Sequence, residues 1–233
     1  MDAPRTARAR ARAELTSQIL DAAHRQLVDV GPSDLSLRAI ARELGMSSSA
    51  IYRYFASRDV LLTALIVQAY DAIGEAAEAA VDRNDLEARW LTACRAARAW
   101  SLAHPHQYSL IYGSPVPGYA APADTIDPAG RVGLLLARIV QDAAATGRLA
   151  TTGESERAEE STSRATGVMH PQVVEAFDVV DEASVINGVA AWTLLFGTIS
   201  FEMFGHYENV VTDRDAFFDD VMRRAAYQAG LRS

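Results

Sequence analysis

The sequence predicts an all-α protein with a small N-terminal domain of three helices and a larger helical domain behind it. Apolar residues recur at helical spacing in successive segments of the chain, and Gly or Pro residues stand where these segments end. With 233 residues, 49% of them hydrophobic, the chain can form one large domain or two small ones around a packed core. We predict a domain boundary between residues 57 and 58.

The first predicted helix ends at the pair Gly31 and Pro32. Its apolar residues recur on one face, which gives the helix a side for packing. These residues are Leu15, Ile19, Ala22, Ala23 and Leu27. We therefore expect this helix to lie behind the next two and to complete a three-helix domain.

Residues 36–54 predict two short helices joined by a glycine turn. Ser36 can cap the first helix with its side-chain oxygen, and Ser47 can cap the second in the same way. Gly45 follows the last apolar residue, where helices often end in the left-handed region. The first helix has an apolar stripe of Leu37, Ile40, Ala41 and Leu44. Such a pair is either a generic helical hairpin or a helix-turn-helix, whose second helix enters the major groove of DNA.

The second helix of this pair has an inner and an outer side. Met46 and Ile51 can fill the angle between the two helices. Side chains left for the outer side carry hydroxyl, guanidinium, phenol and methyl groups, which can contact phosphates and base edges. They are Ser48, Ser49, Ala50, Tyr52, Arg53 and Tyr54.

The segments that flank the pair favour the helix-turn-helix. From about Leu15 to Leu65 the chain resembles the DNA-binding domain of TetR-family transcriptional regulators. The string IYRYFASRDVL is similar to the recognition-helix pattern of that family, with Arg58 where Lys is more usual and Asp59 where Glu is common. The resemblance implies a dimer that reads a palindromic operator with one head on each half-site, and a C-terminal domain that binds an effector.

The resemblance also implies roles for single residues. Arg38 matches a family position that can contact a base, often guanine, and a phosphate clamp is its alternative role. Tyr52, Tyr54 and Arg58 match positions that hold phosphates, and the Ala50 methyl group can meet a thymine methyl group. The full set of predicted DNA-binding residues is Arg5, Arg8, Arg10, Arg12, Ser36, Arg38, Ser47, Ser48, Ser49, Ala50, Tyr52, Arg53, Tyr54 and Arg58.

Positive charge is concentrated at the N-terminal end. The formal net charge is −8, yet residues 1–60 hold nine Arg against seven acidic residues, while the rest of the chain holds 13 against 23. All 22 basic residues are Arg, and four of them lie in the first twelve residues beside a single acid, Asp2. A basic arm on an acidic body fits a protein that contacts phosphates with one end. A solvated, disordered N-terminus has the same composition.

The larger domain is predicted to consist of long helices. Asp127 and Pro128 are typical of a cap and a first helical position, and residues 150–168 are predicted to form a mobile loop because they carry few large apolar groups. The predicted helices cover residues 58–81, 86–103, 127–147, 185–204 and 213–231. The first of them is a plausible link between the two domains.

The predicted helix over residues 185–204 is apolar almost all round. Its length suits a membrane span, but Asn187 and Glu202 interrupt the run and its flanks lack anchoring arginines. Burial between a core and a partner subunit predicts the same pattern. The resemblance implies the second interpretation, because the last two long helices of TetR-like proteins form a four-helix bundle with those of a second copy. We therefore expect a homodimer and no membrane contact.

Six aromatic residues of the larger domain are candidates for the lining of an effector pocket, and each of them can also be a plain core residue. They are Trp90, Trp100, Tyr108, Tyr112, Trp192 and Phe196. Aromatic rings with few charges favour a small apolar or aromatic effector. The resemblance implies a repressor that such an effector releases from its operator. A DNA-binding regulator without a small-molecule effector is the alternative.

An enzyme is the competing class of function. His104 and His106 have a spacing found in metal sites, but no third ligand follows at helical spacing, and the Pro between them indicates a helix junction. No nucleophile–base arrangement or phosphate loop is visible in the sequence. The single cysteine, Cys94, excludes an internal disulfide and fits a reducing compartment. We predict a cytoplasmic protein that is not an enzyme and needs no cofactor or metal.

Overall fold

The computed structural model describes residues 3–81, 85–148 and 182–231, and the side chains from residues 7, 85 and 185 onwards within these ranges. The described residues form nine α-helices and no β-strand, which confirms the all-α prediction. The predicted loop at residues 150–168 lies outside them. The helices are α1 (Ala3–Val30), α2 (Leu37–Glu43), α3 (Ser48–Ile51), α4 (Arg58–Ala79), α5 (Leu86–Ala103), α6 (Pro105–Tyr112), α7 (Ile126–Ala145), α8 (Glu182–Met203) and α9 (Arg214–Gln228).

The described chain packs as two compact units. The N-terminal unit contains the residues up to Tyr70 together with His104–Pro128, and the C-terminal unit contains Asp71–Ala103 and the described residues after Pro128. The division falls inside α4, so each unit contains part of this helix. The boundary predicted between residues 57 and 58 separates the predicted DNA-binding domain from the predicted effector-binding domain. The division into compact units does not test that functional boundary, which stays a prediction.

One apolar core holds the N-terminal unit together. It is built from α1, α2, α3, the first half of α4 and α6. The chain turns between the first helices at Gly31 and Gly45, whose φ angles of 74° and 65° suit glycine and strain other residues. The fully buried members of this core include Ile19, Ala22, Ala23, Ile40, Ile51, Leu61, Leu62 and Leu65. The predicted packing face of the first helix is confirmed for Ile19, Ala22, Ala23 and Leu27, whereas Leu15 is only half-buried.

The segment 104–128 packs on the same core although it is distant in sequence. His104 is the N-cap residue of α6 and a proline follows in the first turn, which confirms the predicted helix junction. Leu110 of α6 is buried in the core. In the loop after α6, the Tyr119 hydroxyl lies 2.9 Å from the Thr63 hydroxyl of α4, a hydrogen-bond distance. Helix α6 and its loop are thus structural parts of the N-terminal unit.

The C-terminal unit is centred on α5. Helix α8 packs on α9, and both pack on α5. The Trp90 ring of α5 is buried, and its indole N–H donates to the backbone carbonyl of Met222 in α9 at 3.1 Å. Cys94 follows one turn later and is fully buried, which raises the pKa of its thiol. These contacts place the middle of α5 in the core.

Arg98 of α5 forms a largely buried ion pair with Glu202 of α8 and also reaches the exposed Asp215 of α9. Its Nε and Nη2 donate to the two carboxylate oxygens of Glu202 at 2.7 and 2.8 Å, and its Nη1 donates to Asp215 at 2.7 Å. The guanidinium lies 5.0 Å from the ring centre of Phe218. The side chains of Arg98 and Glu202 are 12% and 7% exposed. The bidentate pair with Glu202 holds α5 against α8, and the bond to Asp215 connects α5 to α9.

Arg131 of α7 makes a similar clamp on the second half of α4. It donates to the Asp71 carboxylate at 2.8 Å and to the Glu78 carboxylate at 2.7 Å, and this partner lowers the pKa of Glu78. Gly74 lies between the two acids, and a Cβ atom at this position would come within 2.9 Å of the Arg131 side chain. The glycine therefore gives the guanidinium room to reach both carboxylates.

Several helix ends differ from the sequence prediction. Helix α3 stops at Ile51, because residues 52–54 continue as turns. Helix α7 begins at Ile126, so Asp127 lies in its first turn and the predicted cap there is wrong. The 3-10 turn Ala123–Thr125 runs directly into α7, which leaves no place for a separate capping residue. Helices α4, α8 and α9 end within three residues of the predicted positions.

Among the described residues, two helices are long and apolar enough to cross a membrane by length and composition alone. They are Arg58–Ala79 and Val185–Met203, and 44% and 39% of the respective segments are buried within the protein. Core helices of water-soluble proteins pass the same test. Three fully buried leucines of α4 lie in the core of the N-terminal unit, and Leu195 and Ile199 of α8 are fully buried as well. Packing inside the protein thus accounts for part of the apolar composition of both helices, while Trp192, Leu194 and Phe201 of α8 stay exposed.

Candidate nucleic-acid interface

The outer side of α2 and α3 presents a polar surface on an apolar base. Leu37, Ile40 and Ile51 point into the core and fix the angle between the two helices. The opposite side carries the residues that the sequence predicts to contact DNA. Arg38, Ser47, Ser48, Ser49, Tyr52 and Arg53 are exposed there, and Ser36, Ala50 and Tyr54 are half-buried. The structure thus brings these nine predicted residues together on one surface.

Two arginines of α2 lie side by side on this surface. Arg38 and Arg42 are both exposed, and their spacing of four residues places them on one face of the helix. Among the described residues, neither has a carboxylate within ion-pair distance. Arg42 was not predicted to bind DNA, although its spacing from Arg38 was visible in the sequence. Together they add two free positive charges beside α3.

The two predicted serine caps have different outcomes. Ser36 is the N-cap residue of α2, and its hydroxyl accepts from the Ala39 backbone N–H at 3.4 Å, so this cap is confirmed. Ser47 precedes α3 but its side chain makes no capping bond, so the second predicted cap is wrong. Its hydroxyl lies 3.2 Å from the Ser49 hydroxyl instead. Both of these exposed hydroxyls stand at the start of α3.

Arg58 is used within the protein. Its Nη2 donates to the backbone carbonyls of Pro32 and Ser33 at 2.7 and 3.0 Å, and its side chain is 30% exposed. These bonds tie the start of α4 to the turn between α1 and α2. The geometry favours a role in holding the unit together, and the phosphate contact at Arg58 stays a prediction.

The basic arm continues as part of α1, which begins at Ala3. Arg8 and Arg10 are exposed, and the Arg5 side chain lies outside those described. Arg12 is also exposed, yet it contacts the turn that follows α3. Its Nη2 donates to the backbone carbonyl of Arg53 at 3.2 Å, and its guanidinium lies 5.4 Å from the centre of the Tyr54 ring.

Comparison with known proteins agrees with this architecture. Residues 19–65 match the family described as bacterial regulatory proteins, tetR family, and residues 90–225 match the tetracyclin repressor-like C-terminal domain. The chain belongs to the TetR family. The HTH-type transcriptional regulator Rv1816 of Mycobacterium tuberculosis (strain H37Rv) is 36% identical to it over 218 residues, which cover 90% of this chain and 89% of that protein.

Solved structures support the same assignment. The regulatory protein SCO4313 is 32% identical, with a TM-score of 0.74 over 93% of this chain and 97% of that one. RolR, solved in complex with resorcinol, has a TM-score of 0.52 at 16% identity and covers 97% and 98% of the two chains, which shows a shared fold. As a TetR-family transcriptional regulator, the chain has its DNA-binding helix-turn-helix in α2 and α3.

The TetR-family fold distributes the six predicted effector-lining aromatics over both units. Tyr108 and Tyr112 lie on α6 in the N-terminal unit, where their ring centres are 5.1 Å apart. The other four lie in the C-terminal unit. Trp90 and Tyr108 are almost completely buried, whereas Trp192 is 36% exposed and stacks edge to face on Phe196 at 5.8 Å. Two of the six predicted residues thus belong to the N-terminal unit and four to the C-terminal unit.

An open apolar groove of about 550 Å³ runs along α8. Val189, Leu194 and Phe201 are among the residues that line it, and none of the six predicted effector residues does. Phe201 is 53% exposed, and its ring lies 5.8 Å from that of Tyr207. The sequence indicates this surface only through the all-round apolar character of the helix.

Proposed function

We propose that the protein is a dimeric repressor that binds a palindromic DNA operator and leaves it when a small apolar or aromatic effector binds. The observation that carries the proposal is the outer side of α2 and α3, where Arg38, the exposed serines and Tyr52 stand on a buried base. One such helix pair buries too little surface to select a site. Two copies set about 34–36 Å apart read both halves of a palindrome. The protein would act in the cytoplasm, where the chromosome is accessible.

The dimer is proposed to form through α8 and α9. Large apolar side chains stay exposed on these two adjacent helices, and a second copy is the simplest partner for a self-complementary patch. Trp192, Leu194, Phe201, Phe217 and Tyr227 are between 36% and 65% exposed. The groove along α8 adds a concave apolar surface for side chains of the partner.

A charged residue in this patch tests the dimer. We expect Phe201→Asp to shift sedimentation velocity profiles from dimer to monomer, because a carboxylate would be buried without a partner. Leu102→Asp is the matched control, since Leu102 is exposed on α5 in the same unit. A Phe201→Asp protein that stays dimeric would exclude this surface as the interface.

The effector is proposed to act by population shift. A ligand that binds the DNA-incompetent arrangement more tightly draws the protein away from the operator. The aromatic residues Trp100, Trp192 and Phe196 support an apolar or aromatic ligand class in the C-terminal unit. RolR, which has the same fold, was solved with resorcinol bound, and at its identity to this chain it indicates no particular ligand here.

A regulator without a small-molecule effector is the second candidate. The observation in its favour is Trp90, whose ring is buried and whose indole N–H is already bonded inside the protein. Titration of operator-bound protein with aromatic metabolites, taken from the pathway encoded beside the operator, separates the two. Release at micromolar concentration supports the effector, and unchanged affinity across the set supports the alternative.

Genome-wide selection of DNA fragments by the purified protein tests DNA binding itself. We expect enrichment of a palindromic sequence, and we expect the double variant Arg38→Ala/Tyr52→Ala to lose the enrichment. Both residues are exposed, so the variant should keep its fold, which circular dichroism can check. No enrichment by the wild-type protein at moderate salt would contradict the proposal.

A further inference from the structure

Arg12 lies at the junction between the N-terminal arm and the end of the recognition helix. Its Nη2 donates to the Arg53 carbonyl at 3.2 Å, and its guanidinium stands 5.4 Å from the Tyr54 ring centre. Arg53 and Tyr54 lie two and three residues after the last residue of α3, and Tyr54 also packs against the core of the N-terminal unit. Arg12 therefore joins two segments that are 41 residues apart in the chain.

The recognition helix needs support from outside because it is very short. Helix α3 has four residues, Ser48–Ile51, and a single turn does not sustain itself in water. After α3 the chain forms a turn with two backbone hydrogen bonds. The Arg53 N–H donates to the Ala50 carbonyl at 3.2 Å, and the Tyr54 N–H donates to the Ile51 carbonyl at 2.9 Å. The Arg53 carbonyl lies beyond Ile51, the last residue of α3, in the turn that these bonds form. A guanidinium that donates to this carbonyl therefore ties the turn to α1.

The contact with Tyr54 orients the ring as well. A guanidinium over an aromatic face within about 6 Å is attracted by the ring electrons. Tyr54 is half-buried, so its ring has the core on one part of its surface and Arg12 on another. These two contacts restrict the direction in which the Tyr54 hydroxyl points.

We propose that Arg12 is a positioning residue of the recognition helix, which holds the turn after α3 and the Tyr54 ring in the orientation that contacts DNA. This inference rests on the proposed function, and it gives Arg12 a role different from the phosphate contact predicted from the sequence. Arg10 is the natural comparison. Two residues along α1 correspond to about 200° around the helix, so Arg10 carries the same charge on the opposite face.

Amide hydrogen exchange in the DNA-free protein tests the positioning directly. We expect the amides of residues 52–55 to exchange about fivefold faster in Arg12→Ala than in the wild type, because a hydrogen bond and a cation–π contact are lost. Arg10→Ala should leave these rates unchanged. Equal rates in Arg12→Ala and wild type would overturn the proposal, and this readout does not depend on DNA binding.

Operator binding at several salt concentrations tests the consequence for recognition. We expect Arg12→Ala to weaken binding about fivefold with an unchanged salt slope, and Arg12→Lys to recover most of the loss. Arg10→Ala should instead lower the slope, by about one for each phosphate contact removed. In the Tyr54→Leu background, Arg12→Ala should cost less than it does alone, because only the bond to the Arg53 carbonyl is left to lose. A slope that falls as in Arg10→Ala, with additive losses in the double variant, would assign Arg12 to a phosphate and overturn the proposal.

Discussion

In the C-terminal unit many arginines lie against carboxylates, whereas those around α2 and α3 in the N-terminal unit mostly face solvent. Among the described residues, carboxylates lie within 4 Å of Arg89, Arg95, Arg98, Arg131, Arg214, Arg223 and Arg224. No such partner among the described residues lies beside Arg38, Arg42 or Arg53. The same residue type therefore mostly joins helices in the C-terminal unit, whereas Arg38, Arg42 and Arg53 present free charge in the N-terminal unit.

This difference explains how a protein of net charge −8 can bind DNA with one end. The chain has no lysine, so composition alone does not separate binding cations from structural ones. A paired guanidinium is already neutralised by its carboxylate, and an unpaired one keeps its full attraction for phosphate. The partner of each arginine, more than the number of arginines, decides where the positive surface lies.

The largest effect is expected from a variant that breaks a buried ion pair in the C-terminal unit. Arg98→Ala leaves the Glu202 carboxylate, 7% exposed, without its bidentate partner, and we expect a loss of about 3 kcal/mol in the free energy of unfolding. Urea denaturation measures it. Arg224→Ala is the control, because its pair with Asp220 is exposed and should be worth about 0.5 kcal/mol or less. Similar losses of stability in the two variants would show that burial does not make the Arg98–Glu202 pair more stabilising than the Arg224–Asp220 pair.

The next effect concerns free charge in the N-terminal unit. We expect Arg38→Ala to weaken operator binding by about 1–3 kcal/mol while the free energy of unfolding stays unchanged, since this side chain is exposed and unpaired among the described residues. Fluorescence titration at fixed salt measures the affinity. If affinity stays at the wild-type value, Arg38 is not a DNA contact.

Arg58 tests an exception within the N-terminal unit. Arg58→Ala removes two bonds to the carbonyls of Pro32 and Ser33, and we expect about 1–2 kcal/mol less stability. Thermal denaturation without DNA checks this outcome. A variant of wild-type stability with a lower salt slope in DNA binding would instead support the phosphate contact predicted from the sequence.

The smallest effect depends on pH. Arg95 donates to both Asp219 oxygens and thereby lowers the pKa of that carboxyl. Because the pKa is lower in the folded state, the pair contributes stability above the unfolded pKa of about 3.9, and the contribution disappears as the pH falls through the folded value. At pH 7, Arg95→Ala should lower the free energy of unfolding by about 1 kcal/mol at most, because the pair is partly exposed. The cost should shrink as the pH falls through the folded pKa of Asp219, and a cost that stays constant at acid pH would show that packing, not charge, dominates.

Helix positions and the polar side of α2 and α3 follow from the sequence because they depend on local spacing. The bounds of α5 were predicted to the residue, the first helix ends at Gly31 as predicted, and Gly45 has the predicted left-handed backbone. Arg38, which the family resemblance singled out, is exposed. These features depend on residues only a few positions away in the sequence. Helical periodicity describes relations over that distance.

Contacts between distant segments did not follow from the sequence. Arg12 and Arg53 are 41 positions apart, and nothing in either neighbourhood indicates that they meet. The bonds of Arg58 to carbonyls at residues 32 and 33 are backbone contacts, which no side-chain pattern encodes. The placement of α6 in the N-terminal unit depends on the path of the chain through α4 and α5. Such features are decided by tertiary packing, which local propensity does not fix.

The chain has one cysteine, and Cys94 lies fully buried in the C-terminal unit with its thiol kept protonated. A thiol reagent such as Ellman's reagent can therefore react only after that unit opens, since the thiolate is the reacting form and must reach solvent. Opening of the N-terminal unit would release no thiol. Labelling kinetics in dilute urea would time the opening of the C-terminal unit separately from the loss of total helix content, without a mutation or an added fluorophore.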